Sequence, residues 1–196
     1  MARDEIVSNA GEALILVDDQ DREIGSESKS VCHQGDGLLH RAFSIFVFNH
    51  ADELLLQQRS AGKPLWPLYW SNTCCSHPRL GETMELAVTR RLEQELGFSC
   101  PLEFLYKFKY QAPYGEEGAE HEYCWVYHGR YDGAVDPNAS EIADWRFIDI
   151  KSLNCELATR SDRFTPWFKL EWARIQEEYL DRILAGPGRP RTERTG

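Results

Sequence analysis

The chain has 196 residues, 42% of them hydrophobic and 12% aromatic, with 22 Lys plus Arg against 32 Asp plus Glu for a formal net charge of −10. This composition excludes intrinsic disorder over most of the length, and the length suits one domain that buries roughly 70% of the surface its unfolded chain exposes. The acidic balance opposes nucleic acid and anionic membranes as partners, no apolar run reaches the ~18 residues of a membrane span, and the acidic start lacks the basic flank of an export signal, so a cytoplasmic protein is expected.

Residues 1–11 read as loosely ordered, and the apolar run 13–17 predicts a buried strand. Residues 23–40 are rich in Gly, Ser and charge, with a turn signal at Gly35-Asp36-Gly37, which places His33 and His40 on loop or strand-edge backbone. The well-filled segments 41–48 and 53–59 predict a hairpin. Residues 60–72 hold two prolines and two tryptophans and read as a packed loop. Over residues 83–96, Met84, Val88, Leu92 and Leu96 share one helical face, and Gly97 is a ready C-terminal cap. Phe104, Tyr106, Phe108 and Tyr110 alternate with Leu105, Lys107 and Lys109 at the period of a strand, and further strands are expected at 120–131 and 145–150. Thr165-Pro166 suits the cap and first turn of a helix in which Phe168, Trp172, Ile175, Tyr179 and Ile183 recur at helical spacing. Residues 185–196 read as a disordered basic tail.

Chemistry is suggested first by Glu120-His121-Glu122. On a strand the two carboxylates lie on one face and His121 on the other, so the pair is either a solvated face or a shared cation site. His33, His40 and His77, all in Gly- or Pro-marked loops, are candidate nitrogen ligands, and such a mixed set suits Mn²⁺, Mg²⁺ or Zn²⁺. The six cysteines form no C-x-x-C pair, which fits a reducing compartment. Adjacent Cys74 and Cys75 cannot reach ordinary disulfide geometry unstrained, and the start of the following helix can favour a thiolate or an anion there.

Ser71-Asn72-Thr73-Cys74-Cys75-Ser76-His77-Pro78, Leu80-Gly81-Glu82, Arg90-Arg91-Leu92 with Glu95-Leu96-Gly97, the Glu-x-Glu at 120–122 and Thr165-Pro166-Trp167 occur in one order. Across residues 12–184 the chain resembles the type 1 isopentenyl-diphosphate isomerases of the Nudix-fold superfamily. The resemblance implies an α+β fold, a Nudix-like mixed β-sheet sandwiched between helices, in a single domain over residues 1–184. It also implies conversion of isopentenyl to dimethylallyl diphosphate through a tertiary carbocation, in a monomer whose partner is a small-molecule diphosphate.

By the same resemblance, one divalent metal (Mn, Mg or Zn) is held by His33, His40, His77, Glu120 and Glu122. Cys75 and Glu122 are then the catalytic pair, with Tyr110 supporting Glu122. Lys29, Arg59, Lys63 and Arg91 contact the diphosphate, Trp167 offers a π face to a cation, and Glu95 with the Cys75 carbonyl meets a Mg²⁺ that travels with the substrate. The general Nudix box is broken by Ser76, Arg91 and Gln94, which removes two of its carboxylates and opposes the alternative of a hydrolase acting on a nucleoside diphosphate derivative. A non-catalytic module binding metal and diphosphate is the second alternative, opposed by the intact Cys75 and Glu122.

Overall fold

The computed structural model of the protein describes residues 3–186, and the expected tail lies outside the described residues from 187 onward. Ala185 still ends a helix, one residue past the expected domain boundary. The first apolar run is strand β1 (Ala13–Val17) as expected, but the polar stretch after it is not loop. It forms β2 (Glu23–Ser28), antiparallel to β1, and one helical turn, α1 (Lys29–Cys32). The side chains of β2 are almost all exposed, so this edge strand is held by its backbone and leaves no hydrophobic signature.

Next come β3 (His40–Phe48) and β4 (Leu54–Arg59). The expected hairpin holds only at its turn, where Phe48 pairs with Leu54, after which the strands part. β3 runs between β6 (Cys74–Ser76), antiparallel, and β8 (Gly118–Arg130), parallel. β4 lies between β5 (Trp70–Ser71) and β9 (Ile142–Ile148), both antiparallel, and β7 (Leu102–Tyr114) flanks β8. Both faces of β3 are buried, so its sequence names no partner.

One face of the sheet is covered by α2 (Met84–Leu96), whose Met84, Val88, Leu92 and Leu96 pack against Phe43, Ile45, Val47, Leu55 and Cys74. Thr83 caps it by accepting from Leu86 N, and Gly97 ends it at φ 75, where a Cβ would lie 2.8 Å from the Asp136 Cβ. The other face is covered by α4 (Pro166–Arg174), whose Phe168 and Trp172 are fully buried with Phe46 and Phe48. Each such side chain contributes about 1.5–3 kcal/mol. Pro166 occupies the first turn as expected, but Thr165 makes no side-chain cap, because its hydroxyl is taken by Ser71 Oγ at 2.8 Å. After Arg174 a π-helical turn leads into α5 (Leu180–Ala185).

Three further expectations change. A register shift between Phe104 and Tyr106 turns both Leu105 and Tyr106 inward and leaves Phe104 exposed, so the alternation read for β7 holds only from Tyr106 onward. A helix not foreseen, α3 (Ile150–Thr159), buries only Leu153 and is capped by Asp149. Residues 3–11 are fastened rather than loose: Arg3 bridges to Asn138 and donates to Glu93 O at 2.9 Å, and Val7 is buried. A cation at the C-terminal end of α2 also complements its dipole.

Candidate active site and metal centre

Strand register builds the site. The parallel pairing of β3 and β8 sets His40 beside Glu122, and the antiparallel pairing of β7 and β8 sets Tyr110 on the other side of the same residue. Opposed residues point to one face, so three segments remote in sequence meet at one carboxyl group. Tyr110 donates to Glu122 Oε2 at 2.6 Å, and His77 Nε2 lies 3.1 Å from Glu122 Oε1. His121 points the other way, toward Gly37 O, as strand alternation predicts.

Ligand atoms of His33, His40, His77 and Glu120 lie within 4.8 Å of one another, with Glu122 against His77 and His40. His33 Nδ1 is 2.6 Å from Lys29 O and His40 Nδ1 is 2.7 Å from Leu38 O. A carbonyl oxygen can only accept, so both rings carry a proton on Nδ1 and turn Nε2 inward; that of His33 lies 2.8 Å from Glu120 Oε2, and against the effect of burial this carboxylate raises the imidazole above its usual range. His40 Nε2 and His77 Nε2 face each other at 3.1 Å, and burial holds His40 near 4, neutral at physiological pH. Three converging imidazoles beside two carboxylates are a donor set that fits a divalent cation.

A cavity of about 410 Å³ opens beside this cluster. Cys75, Glu122, Tyr110 and Trp167 line it together with Lys29, Arg59, Lys63, Arg91, His33, His77 and Glu120. His40 and Glu95 do not: His40 is wholly buried, and Glu95 pairs with Arg91 and Gln57. Cys74 points to the opposite side of the sheet, against α2.

Burial pushes the Cys75 thiol up to about 12, against a smaller opposing pull from Arg59, whose Nη1 lies 3.9 Å from Sγ. The group rests as a thiol, so the thiolate suggested by the neighbouring helix start does not form; burial outweighs that field. Burial, then the Glu120 carboxylate, raises the Glu122 carboxyl well above the usual range. The Arg59 guanidinium sits 5.2 Å from the Trp167 ring centroid, and Trp66 meets that ring edge-on at 5.3 Å. A cation over an indole face is favoured by about 0.5–2 kcal/mol.

At the polar end, Lys29 is drawn down to about 8 by burial and by neighbouring Lys63 and Arg91. Sequence reasoning missed two contributors here. Ser8, Asn9 and Ala10 form part of the cavity wall, and Ser8 Oγ accepts from Lys29 Nζ at 2.7 Å. Glu141, buried in the turn before β9, pairs with Lys63 and with Arg91 Nη2 at 3.3 Å. No local pattern marks either segment, because both reach the site only through the tertiary fold.

The family model described as NUDIX domain matches residues 38–168. "Isopentenyl-diphosphate Delta-isomerase 1" of Photorhabdus laumondii is 42% identical over 174 residues, covering 88% of this chain and 99% of that protein. "Isopentenyl-diphosphate Delta-isomerase" of Burkholderia multivorans is 48% identical over 157 residues, covering 80% and 89%. Among solved structures, a Deinococcus radiodurans protein superposes with a TM-score of 0.63 at 21% identity, over 76% of this chain and 90% of that one, a likeness of fold.

Proposed function

We infer the activity from membership: the chain belongs to the Nudix family and, within it, to the isopentenyl-diphosphate Delta-isomerases. It converts isopentenyl diphosphate to dimethylallyl diphosphate. That reaction adds a proton to an unactivated alkene carbon and removes one two carbons away, with a tertiary carbocation between the steps. It needs two proton-handling groups in a dry pocket.

Our assignment gives those roles to Cys75 and Glu122. The observation that carries it is that a neutral thiol and a buried carboxyl open on one cavity that the Trp167 indole also lines. Tyr110 positions Glu122 through its 2.6 Å hydrogen bond, and Trp167 offers its π face to the cation. Lys29, Arg59, Lys63 and Arg91 hold the diphosphate, Arg59 from beside Cys75 and the other three from the polar end. His33, His40, His77, Glu120 and Glu122 would hold one divalent ion, Mn, Mg or Zn, which would supply the positive charge that sets the protonation and orientation of Glu122. A Mg²⁺ arriving with the diphosphate would meet the Cys75 carbonyl, and Glu95, which lies outside the cavity lining against Arg91 and Gln57, would have to leave Arg91 to join it. We assign residues 1–184 to one catalytic domain, acting as a monomer in the cytoplasm; no helix among the described residues is long and apolar enough to cross a membrane.

Hydrolysis of a nucleoside diphosphate derivative is disfavoured by the side chains at the broken box positions. Arg91 is a buried guanidinium bound to Glu95 and Glu141, and the Gln94 side-chain oxygen accepts from Arg90. Neither can gather Mg²⁺ as a carboxylate does. Turnover of isopentenyl diphosphate in heavy water, run beside a nucleotide panel, tests the reading. Deuterium is expected in the dimethylallyl product; nucleotide cleavage without such exchange would overturn it.

A further inference from the structure

Glu141 stands where an anion is least expected. It lines the cavity between Lys63 and Arg91, the groups assigned to the diphosphate, and is itself buried. Its carboxylate Oε2 already satisfies both cations, and Lys63 and Arg91 outweigh burial to hold it ionised. A structural counter-ion could have been placed behind the cations, as Glu95 is behind Arg91. Glu141 instead shares the space the phosphates must enter. An anion entering between Lys63 and Arg91 therefore meets a carboxylate already held by both.

We propose that Glu141 is a specificity determinant, admitting a diphosphate already complexed with a divalent cation and disfavouring the bare diphosphate. This rests on the assignment of Lys63 and Arg91 as the diphosphate cradle. A diphosphate ester carries roughly three negative charges at neutral pH, and one bound divalent ion reduces that to roughly one. The bare ion brings its full charge against the Glu141 carboxylate at short range, where little solvent screens the repulsion. The complexed ion meets the same carboxylate with less charge and brings a cation that it can face.

Inorganic pyrophosphate, titrated calorimetrically into the protein with and without added Mg²⁺, reads the effect. Wild type is expected to bind the Mg²⁺ complex more tightly than the bare ion. Glu141→Gln should tighten bare pyrophosphate by about tenfold and collapse that preference, while Glu141→Asp keeps it. The ratio is internal to each variant, so a partly destabilised protein still reports it, and Glu141→Ala provides a second neutral variant. An unchanged ratio in both neutral variants, or a parallel loss of both affinities, would overturn the role of Glu141 alone. Failure of wild type to bind either form would overturn the cradle itself and the proposal with it.

Discussion

Cys74 and Cys75 are neighbours in β6 yet belong to different environments. Cys74 is sealed among Phe43, Ile45, Val47 and the apolar face of α2, while Cys75 opens on the cavity under α4. The division continues along the neighbouring strands. In β3, Phe43, Ile45 and Val47 point to α2, whereas His40, Ser44 and Phe46 point to the other side, and in β8 Tyr127 goes with the first group and Glu122, Cys124 and Val126 with the second. The α2 side is mostly hydrocarbon, its buried charge confined to the Arg91–Glu95 pair with Gln57. The other mixes large aromatics with buried Glu120, Glu122 and Glu171, so strand alternation lets one stretch of chain build a core and a reactive site together.

Substitutions should therefore divide by face. The largest effect is expected for Cys75→Ala, a loss of about 10³-fold or more in kcat, while Cys74→Ala keeps turnover within a few-fold and costs about 1–2 kcal/mol of stability. Steady-state rates and urea midpoints for both variants check this, and equal loss of activity from the two would break the contrast. Chelation should abolish turnover, with Mn²⁺, Mg²⁺ or Zn²⁺ restoring it, and should lower the thermal midpoint. Full activity and an unchanged midpoint in chelated protein would remove the metal from this face. Tyr110→Phe should lower kcat by roughly 10–100-fold and leave KM nearly unchanged, since Tyr110 bonds Glu122 and not the basic end.

The smallest effect concerns a group under the same helix. Glu171 is fully buried, receives the Cys124 thiol at 3.4 Å, and has no hydrogen-bond partner for Oε2 among the described residues. Burial raises it to about 8, so in the folded protein it stays protonated where the unfolded chain has already ionised. Stability should fall as pH rises from the ordinary carboxylate range through 8, by up to about 1.4 kcal/mol per pH unit from this residue. Glu171→Gln should flatten that slope in urea unfolding between pH 5 and 8; an unaltered slope would place the pH dependence elsewhere.

Much of this was legible in the sequence because its signals are local. The 3.6-residue period of α2, its Thr83 and Gly97 ends, the apolar run of β1 and the Glu120/Glu122 alternation depend only on near neighbours. The motif run around Cys75 carried the site. What escaped depends on contacts across the fold. β2 pairs through its backbone alone, β3 and β4 part because buried neighbours claim them, and Glu141 meets Lys63 from a loop 78 residues away. The Cys75 thiolate failed for a related reason, since burial is a property of the folded surroundings and not of the flanking residues.

The parallel seam between β3 and β8 also bears on how the chain reaches its folded state. His40, His77 and Glu122 come together across separations of 37 and 45 residues, so no short fragment contains the cluster. Parallel pairing between such distant segments repays its loop-closure entropy only once both strands are in place, so the seam is expected to form slowly in refolding. An ion bound there would clasp both loops at once. Its release should accordingly speed unfolding, tying the lifetime of the folded chain to the same histidines that shape the site.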